Sequence, residues 1–140
     1  MANITITAAS FIPSSSAVYL GTVCIAGETI VAGAPVFVHT DGKYYRAAAA
    51  TLAASTAVGI AANGGAANQR INVVSSDSAA ACGSVFGAAG IVLVLSEDYA
   101  LLAPVADLGS GDYVTVVGVT KSASTLQFDF SNRLPGVVKP

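Results

Sequence analysis

The chain has 140 residues, of which 54% are hydrophobic and only 10% charged, with a net charge of −2 and no Trp. A domain of this size buries roughly two-thirds of the surface its unfolded chain exposes, so neither a metal nor a disulfide is required to hold it together. Without a cluster of Lys and Arg to neutralise phosphates, nucleic-acid binding is disfavoured, and a chain so far below the usual ~25% of charged residues is expected to hide surface in a homo-oligomer or on a larger assembly.

The N-terminal residues carry no basic region followed by an apolar run, so no export signal is read there and the protein is expected to stay in the compartment where it is made. Asn3 to Thr7 alternates Ile with Thr and predicts a short strand. Ala8 to Ser16, with Pro13 and three serines, predicts an irregular arm. Phe11 and Ile12 in that arm need burial, either on their own barrel or on a neighbour, which makes both candidate interface residues. Residues 1–17 are therefore read as an N-terminal strand and arm, residues 18–130 as the β domain, and residues 131–140 as a tail that leaves it.

Val18 to Ile25 reads as β-prone, and turns flank Thr29-Ile30. Pro35 to Thr40 and Lys43 to Ala47 then form the most legible hairpin, because Asp41-Gly42 suits a two-residue type I′ turn in which both positions take positive φ. Such a loop sets Thr40 opposite Lys43, His39 opposite Tyr44, Val38 opposite Tyr45 and Phe37 opposite Arg46. One face then carries Val36, Val38, Tyr45 and Ala47 as core. The other carries Phe37, His39, Tyr44 and Arg46, either as a contact surface for another protein or as cross-strand pairs that support the hairpin alone.

The alanine-rich stretch Ala47 to Ala54 has helix propensity but no periodic large apolar residues, and is expected to be a connecting loop. Thr56 to Ala62 predicts a strand, Asn63-Gly64-Gly65 a turn and Gln69 to Ser75 the partner strand. Ser76 to Gly90 reads as a small-residue loop. The uncharged window from Ser78 to Ser96 is divided by glycines, so it predicts a buried strand at Ile91 to Leu95 rather than a membrane span. Tyr99 to Pro104 is a short extended piece. Tyr113 to Thr120 is the strongest strand and is expected to be central; Lys121 to Ser124 turns into Thr125 to Phe130, where Leu126, Phe128 and Phe130 alternate with polar residues on a wet face. A weak likeness between Val58-Gly59-Ile60 and Val117-Gly118-Val119, each leading into an alternating partner, is the kind that β-meanders also generate by chance. Short strands with Gly and Asn turns predict an all-β, single-domain barrel or sandwich of antiparallel strands.

Chemistry is sparse. His39 is the one histidine and lies mid-strand with no nucleophile elbow elsewhere, while the carboxylates are scattered apart from Glu97-Asp98. No phosphate loop or dinucleotide fingerprint is present. Cys24 and Cys82 are too few and too far apart for a metal knuckle or a redox pair and read as small buried residues. No catalytic residue, metal ligand or cofactor is assigned, and an enzyme is not expected.

The succession AGETIVAGAPVFVHTDGKYYRAAA, TAVGIAANGGAANQRINVV and VLSEDYALLAPVADLGSGDYVTVVGVTKSASTLQF resembles the small capsid decoration, or cement, proteins of tailed bacteriophages. The likeness covers Ala26 to Phe130, with DGKYY and APVADLGSGDYVTVVGV as its most distinctive words; the arm and tail lie outside it. The resemblance implies a non-enzymatic β-barrel that assembles as a homotrimer on the outer surface of the expanded head and clamps subunits of the major capsid protein, made in the bacterial cytoplasm and bound to neither nucleic acid nor membrane. The competing class is a trimeric tail or fibre component that binds a host receptor, which would call for repeated shaft-like β segments.

Overall fold

A computed structural model describes residues 3–131 and 137–140. Its strands are β1 (Val18–Tyr19), β2 (Cys24–Ile25), β3 (Pro35–Val38), β4 (Tyr44–Arg46), β5 (Gly59–Ala61), β6 (Arg70–Ile71), β7 (Val73–Ala81), β8 (Val92–Leu95), β9 (Leu102–Pro104), β10 (Val116–Thr120) and β11 (Thr125–Asp129), with a short helix, α1 (Leu52–Ser55), and a 3-10 turn (Val105–Asp107). The fold is nearly all-β: a curled antiparallel half-barrel sheet. Its strands run in the order β4-β3-β5-β7-β11-β10-β8-β9, β1 joins β7, and β2 with β6 forms a separate pair.

The clearest elements are those in which apolar and polar residues alternate. In β11 and just beyond it Leu126, Phe128 and Phe130 are buried while Gln127 and Asp129 are exposed, and the Phe128 and Phe130 rings meet edge-on at 5.8 Å. β10 pairs on one side with β11 and on the other with β8, so the strongest strand is indeed an internal one. Where Gly118 lies opposite Phe128, a Cβ on Gly118 would come within 1.9 Å of the Gln127 carbonyl oxygen, so the close approach of these strands requires a residue without a side chain.

Several expectations are corrected. The loop expected from Ser76 to Gly90 begins only at Cys82: β7 runs nine residues to Ala81 and joins β5 on one side to β11 on the other. Its small Ser and Ala side chains give no apolar signal, but they let the N-terminal arm lie against it, where Ile12 and Ala81 pair through their backbones. The arm is integrated rather than loose. Of the strand expected over Asn3 to Thr7 only the Ile4 bridge to Leu102 forms, yet Ile6 and Phe11 are both buried in the core. Asp77, itself buried in β7, accepts hydrogen bonds from the Ser14 backbone N–H (2.7 Å) and the Ser14 hydroxyl, and a longer one from Ser16. Burial would raise its pKa, but these bonds and one from the Ala79 N–H outweigh that effect and hold it below the usual value.

The alanine stretch also differs from expectation. Thr51 caps α1 through its hydroxyl, which accepts from the Ala54 N–H, so the short helix forms despite its lack of large apolar residues. Ala47, Ala48 and Ala49 are fully buried. Ala49 donates to the Ser96 carbonyl at 2.7 Å and accepts from the Tyr113 N–H at 2.9 Å, and Ala100 donates to the Ala47 carbonyl. Thus the chain leaving β4 is tied to segments at the other end of the sheet order, and methyl side chains allow the backbones to come this close. The tail does not simply leave the domain: the Val114 N–H donates to the Val137 carbonyl, and Tyr113 bridges Val138. The intervening part of the predicted tail lies outside the described residues.

The core divides in two. The larger cluster holds Phe11, Phe37, Leu93, Leu95, Leu102, Leu126, Phe128 and Phe130; the smaller holds Cys24, Ile30, Val36, Tyr44, Ile71 and Val73. β3 runs between them and buries consecutive residues on both of its faces. Cys24 and Cys82 are buried free thiols, and burial, with the nearby Asp77 charge, pushes Cys82 up to about 12.

Candidate functional site

The β3–β4 turn is one residue longer than the sequence suggested. Val36 pairs with Arg46, Phe37 with Tyr45 and Val38 with Tyr44. The His39 N–H donates to the Lys43 carbonyl and the Gly42 N–H to the His39 carbonyl, both at 2.9 Å, which leaves Thr40, Asp41 and Gly42 as a three-residue loop. Gly42 alone among them has positive φ, at 79°, as in a type I turn closed by a glycine bulge. Asp41 stabilises this loop by accepting from the Lys43 N–H at 2.9 Å.

One residue of slippage exchanges the faces. Tyr44, expected beside Phe37 and His39, is turned into the smaller core cluster, where burial raises its phenol pKa and the Cys24 thiol adds to the effect. Tyr45, expected in the core, takes its place. The Phe37, His39 and Tyr45 rings form a triangle with centroids 6.1 Å (Phe37–His39), 6.2 Å (Phe37–Tyr45) and 5.4 Å (His39–Tyr45) apart. Phe37 is buried, Tyr45 half-buried and His39 exposed. Arg46 keeps a place at the edge of this group, held by Glu28: one carboxylate oxygen accepts from the Arg46 backbone N–H at 2.9 Å and the other from its guanidinium at 3.0 Å.

Together these side chains line an open depression of about 600 Å³, with Thr51 and Tyr99 also contributing to its wall. The Tyr45 hydroxyl donates to Asp41 Oδ2 at 2.6 Å, which lowers the Asp41 pKa and raises that of Tyr45. Gly27 seats the ring, for a Cβ there would lie 2.2 Å from a Tyr45 ring carbon. The predicted arm contacts separate: Phe11 is sealed in the chain's own core and is no surface residue, whereas Ile12 is exposed.

Sequence reasoning missed Tyr45, Glu28 and Tyr99 as neighbours of His39. Thr40-Asp41-Gly42 carried the signal for Tyr45, because an Asp-Gly pair also fits a three-residue loop with glycine last. Nothing in the sequence brings Glu28 or Tyr99 to the same place. Among the described residues no three His, Cys, Asp or Glu side chains gather as a metal ion would require, and no helix is long and apolar enough to cross a membrane. No protein-family model matches the chain, and no curated protein matches it either, so any reading of this depression rests on its own geometry.

Proposed function

We propose that this protein is a structural virion component, a decoration or cement protein that binds the outside of a tailed-phage head as a homotrimer and reinforces the shell formed by the major capsid protein. The observation that carries the reading is the character of the exposed surface. Fourteen large hydrophobic side chains are exposed among the described residues, as many as the chain's six basic and eight acidic residues together. Some adjoin: Val92 and Val119 are cross-strand partners on β8 and β10, both exposed, with Val116 also exposed on β10. Apolar surface of this kind suits contacts with sister subunits and with a shell, where engagement of several capsid subunits by one trimer multiplies weak contacts. The resemblance of Ala26 to Phe130 to cement proteins supports the same reading.

The test uses heads assembled without this protein and then supplied with it. Wild type is expected to sediment as a trimer, to bind the heads and to delay DNA loss on heating. The Val92→Lys, Val119→Lys double variant is expected to bind poorly while folding normally, since both positions face outward. Heads that retain DNA equally well without the protein but fail to adsorb to cells would replace the cement reading with receptor binding.

A further inference from the structure

The depression beside the β3–β4 turn is lined by aromatic and charged side chains rather than by the exposed valines of β8 and β10, and its construction points to a ligand of its own. We propose that it binds a neutral oligosaccharide, with Tyr45 as the stacking platform, His39 beside it and the Arg46–Glu28 pair supplying hydrogen bonds at the rim. Its volume of about 600 Å³ lies inside the roughly 300–1,000 Å³ range of small-ligand sites.

The platform is set before any ligand arrives. Tyr45 is fixed at its hydroxyl by Asp41, seated over Gly27, and braced by the His39 and Phe37 rings. A half-exposed aromatic ring with so little freedom contributes contact area at a small entropic cost on binding. The polar groups then select the ligand. Arg46 is already matched by Glu28 at 3.0 Å, so its guanidinium is not an uncompensated cation waiting for a phosphate. Asp41 accepts from the Tyr45 hydroxyl and the Lys43 N–H, so it is not a bare carboxylate waiting for a basic peptide. What remains is an aromatic surface bordered by donors and acceptors of both kinds. A sugar ring is complementary to that combination: its C–H face carries partial positive charge toward the ring's negative face, and each hydroxyl both donates and accepts.

The experiment is an amide and imidazole NMR titration of the full chain with maltotriose, cellotriose and chitotriose at millimolar concentration, with inorganic phosphate and an oligolysine peptide as counter-probes. At least one sugar is expected to shift His39, Asp41 to Arg46 and Thr51 to Ala54 while the rest of the spectrum stays in place. Tyr45→Ala should weaken that binding about tenfold or more, and Tyr45→Phe, which keeps the ring, by much less. His39→Ala, at an exposed position, provides a second loss-of-binding variant that does not challenge the fold. Absence of shifts with all three sugars, stronger shifts of the same residues by phosphate or oligolysine, or sugar affinity unchanged in both Tyr45→Ala and His39→Ala would each overturn the proposal. The result is separable from the virion reading, because sugar binding is measured on the free protein and head stabilisation on particles.

Discussion

The two hairpins β3–β4 and β10–β11 are both antiparallel pairs within one sheet, yet only one could be phased from sequence. In β11 every second side chain meets water, so a one-residue slip would bury Gln127 and Asp129 and expose Leu126 and Phe128; a single register satisfies the sequence. β3 offers no such contrast, because Val36 packs in one core cluster and Phe37 in the other. When both faces are apolar, hydrophobic pattern stops specifying register and the turn decides alone. The turn was the ambiguous part.

The difference is easiest to break at neighbouring residues of β3. Phe37→Ala should cost about 3–5 kcal/mol by emptying a packed aromatic site, whereas Val38→Ala, at a position 41% exposed, should stay within about 0.5–1 kcal/mol. Denaturant midpoints of the two variants check this directly, and the two-residue loop would predict a large loss at Val38. In β10–β11 the corresponding weak point is backbone contact. Gly118→Ala should cost about 3 kcal/mol, because the added methyl meets the Gln127 carbonyl and Phe128 Cα rather than a movable side chain, and amide exchange should accelerate across β10 and β11 together.

What was legible follows from the same contrast. The all-β class, the pairing of β5 with the start of β7 across the Asn63 turn, the buried Leu93 to Leu95 of β8 and the alternating β11 were all readable because large apolar residues marked one face or a short buried run, whereas Arg70–Ile71, expected in the same partner strand, pairs with β2 instead. The second half of β7 and the buried Ala47 to Ala49 were not, since Ser and Ala mark neither face of a strand, and their importance lies in how closely they let other backbones approach. The candidate site was half legible. His39, Phe37 and Arg46 were placed together, but Tyr44 stood in for Tyr45, and Glu28 and Tyr99 arrive by tertiary contacts that no local pattern encodes.

β7 lies between the two hairpins in the sheet, and its Asp77 tests whether the arm is fastened there. Asp77→Ala should cost about 2 kcal/mol by leaving the Ser14 and Ala79 N–H groups without their acceptor. The pH dependence has a definite sign. The folded-state pKa lies below the ordinary 3.8, so the carboxylate's contribution is complete above that value and is lost as pH falls below it through the folded-state pKa. Acid unfolding monitored between neutral pH and pH values below 3.8 should therefore show a steeper loss in wild type than in Asp77→Ala. Equal slopes would mean that the serine clamp does not contribute to stability.

The smallest effect gives the sharpest view of the turn. Gly42 has φ of 79° with nothing within 4 Å of where a Cβ would stand, so Gly42→Ala should cost about 1 kcal/mol from backbone conformation alone. That outcome is common to both loop lengths. Asp41 separates them. A two-residue type I′ loop would hold Asp41 at positive φ, and Asp41→Gly would then relieve strain and stabilise the protein. In the three-residue loop Asp41 is not at positive φ, and its carboxylate accepts from Lys43 and Tyr45. Asp41→Gly should therefore destabilise by about 0.5–1 kcal/mol, through lost hydrogen bonds and a freer unfolded chain. It should also loosen the Tyr45 ring, visible as averaging of its aromatic NMR signals, while Gly42→Ala leaves the Asp41–Tyr45 bond in place. A rise in melting temperature for Asp41→Gly would restore the shorter loop and return Tyr45 to the core face.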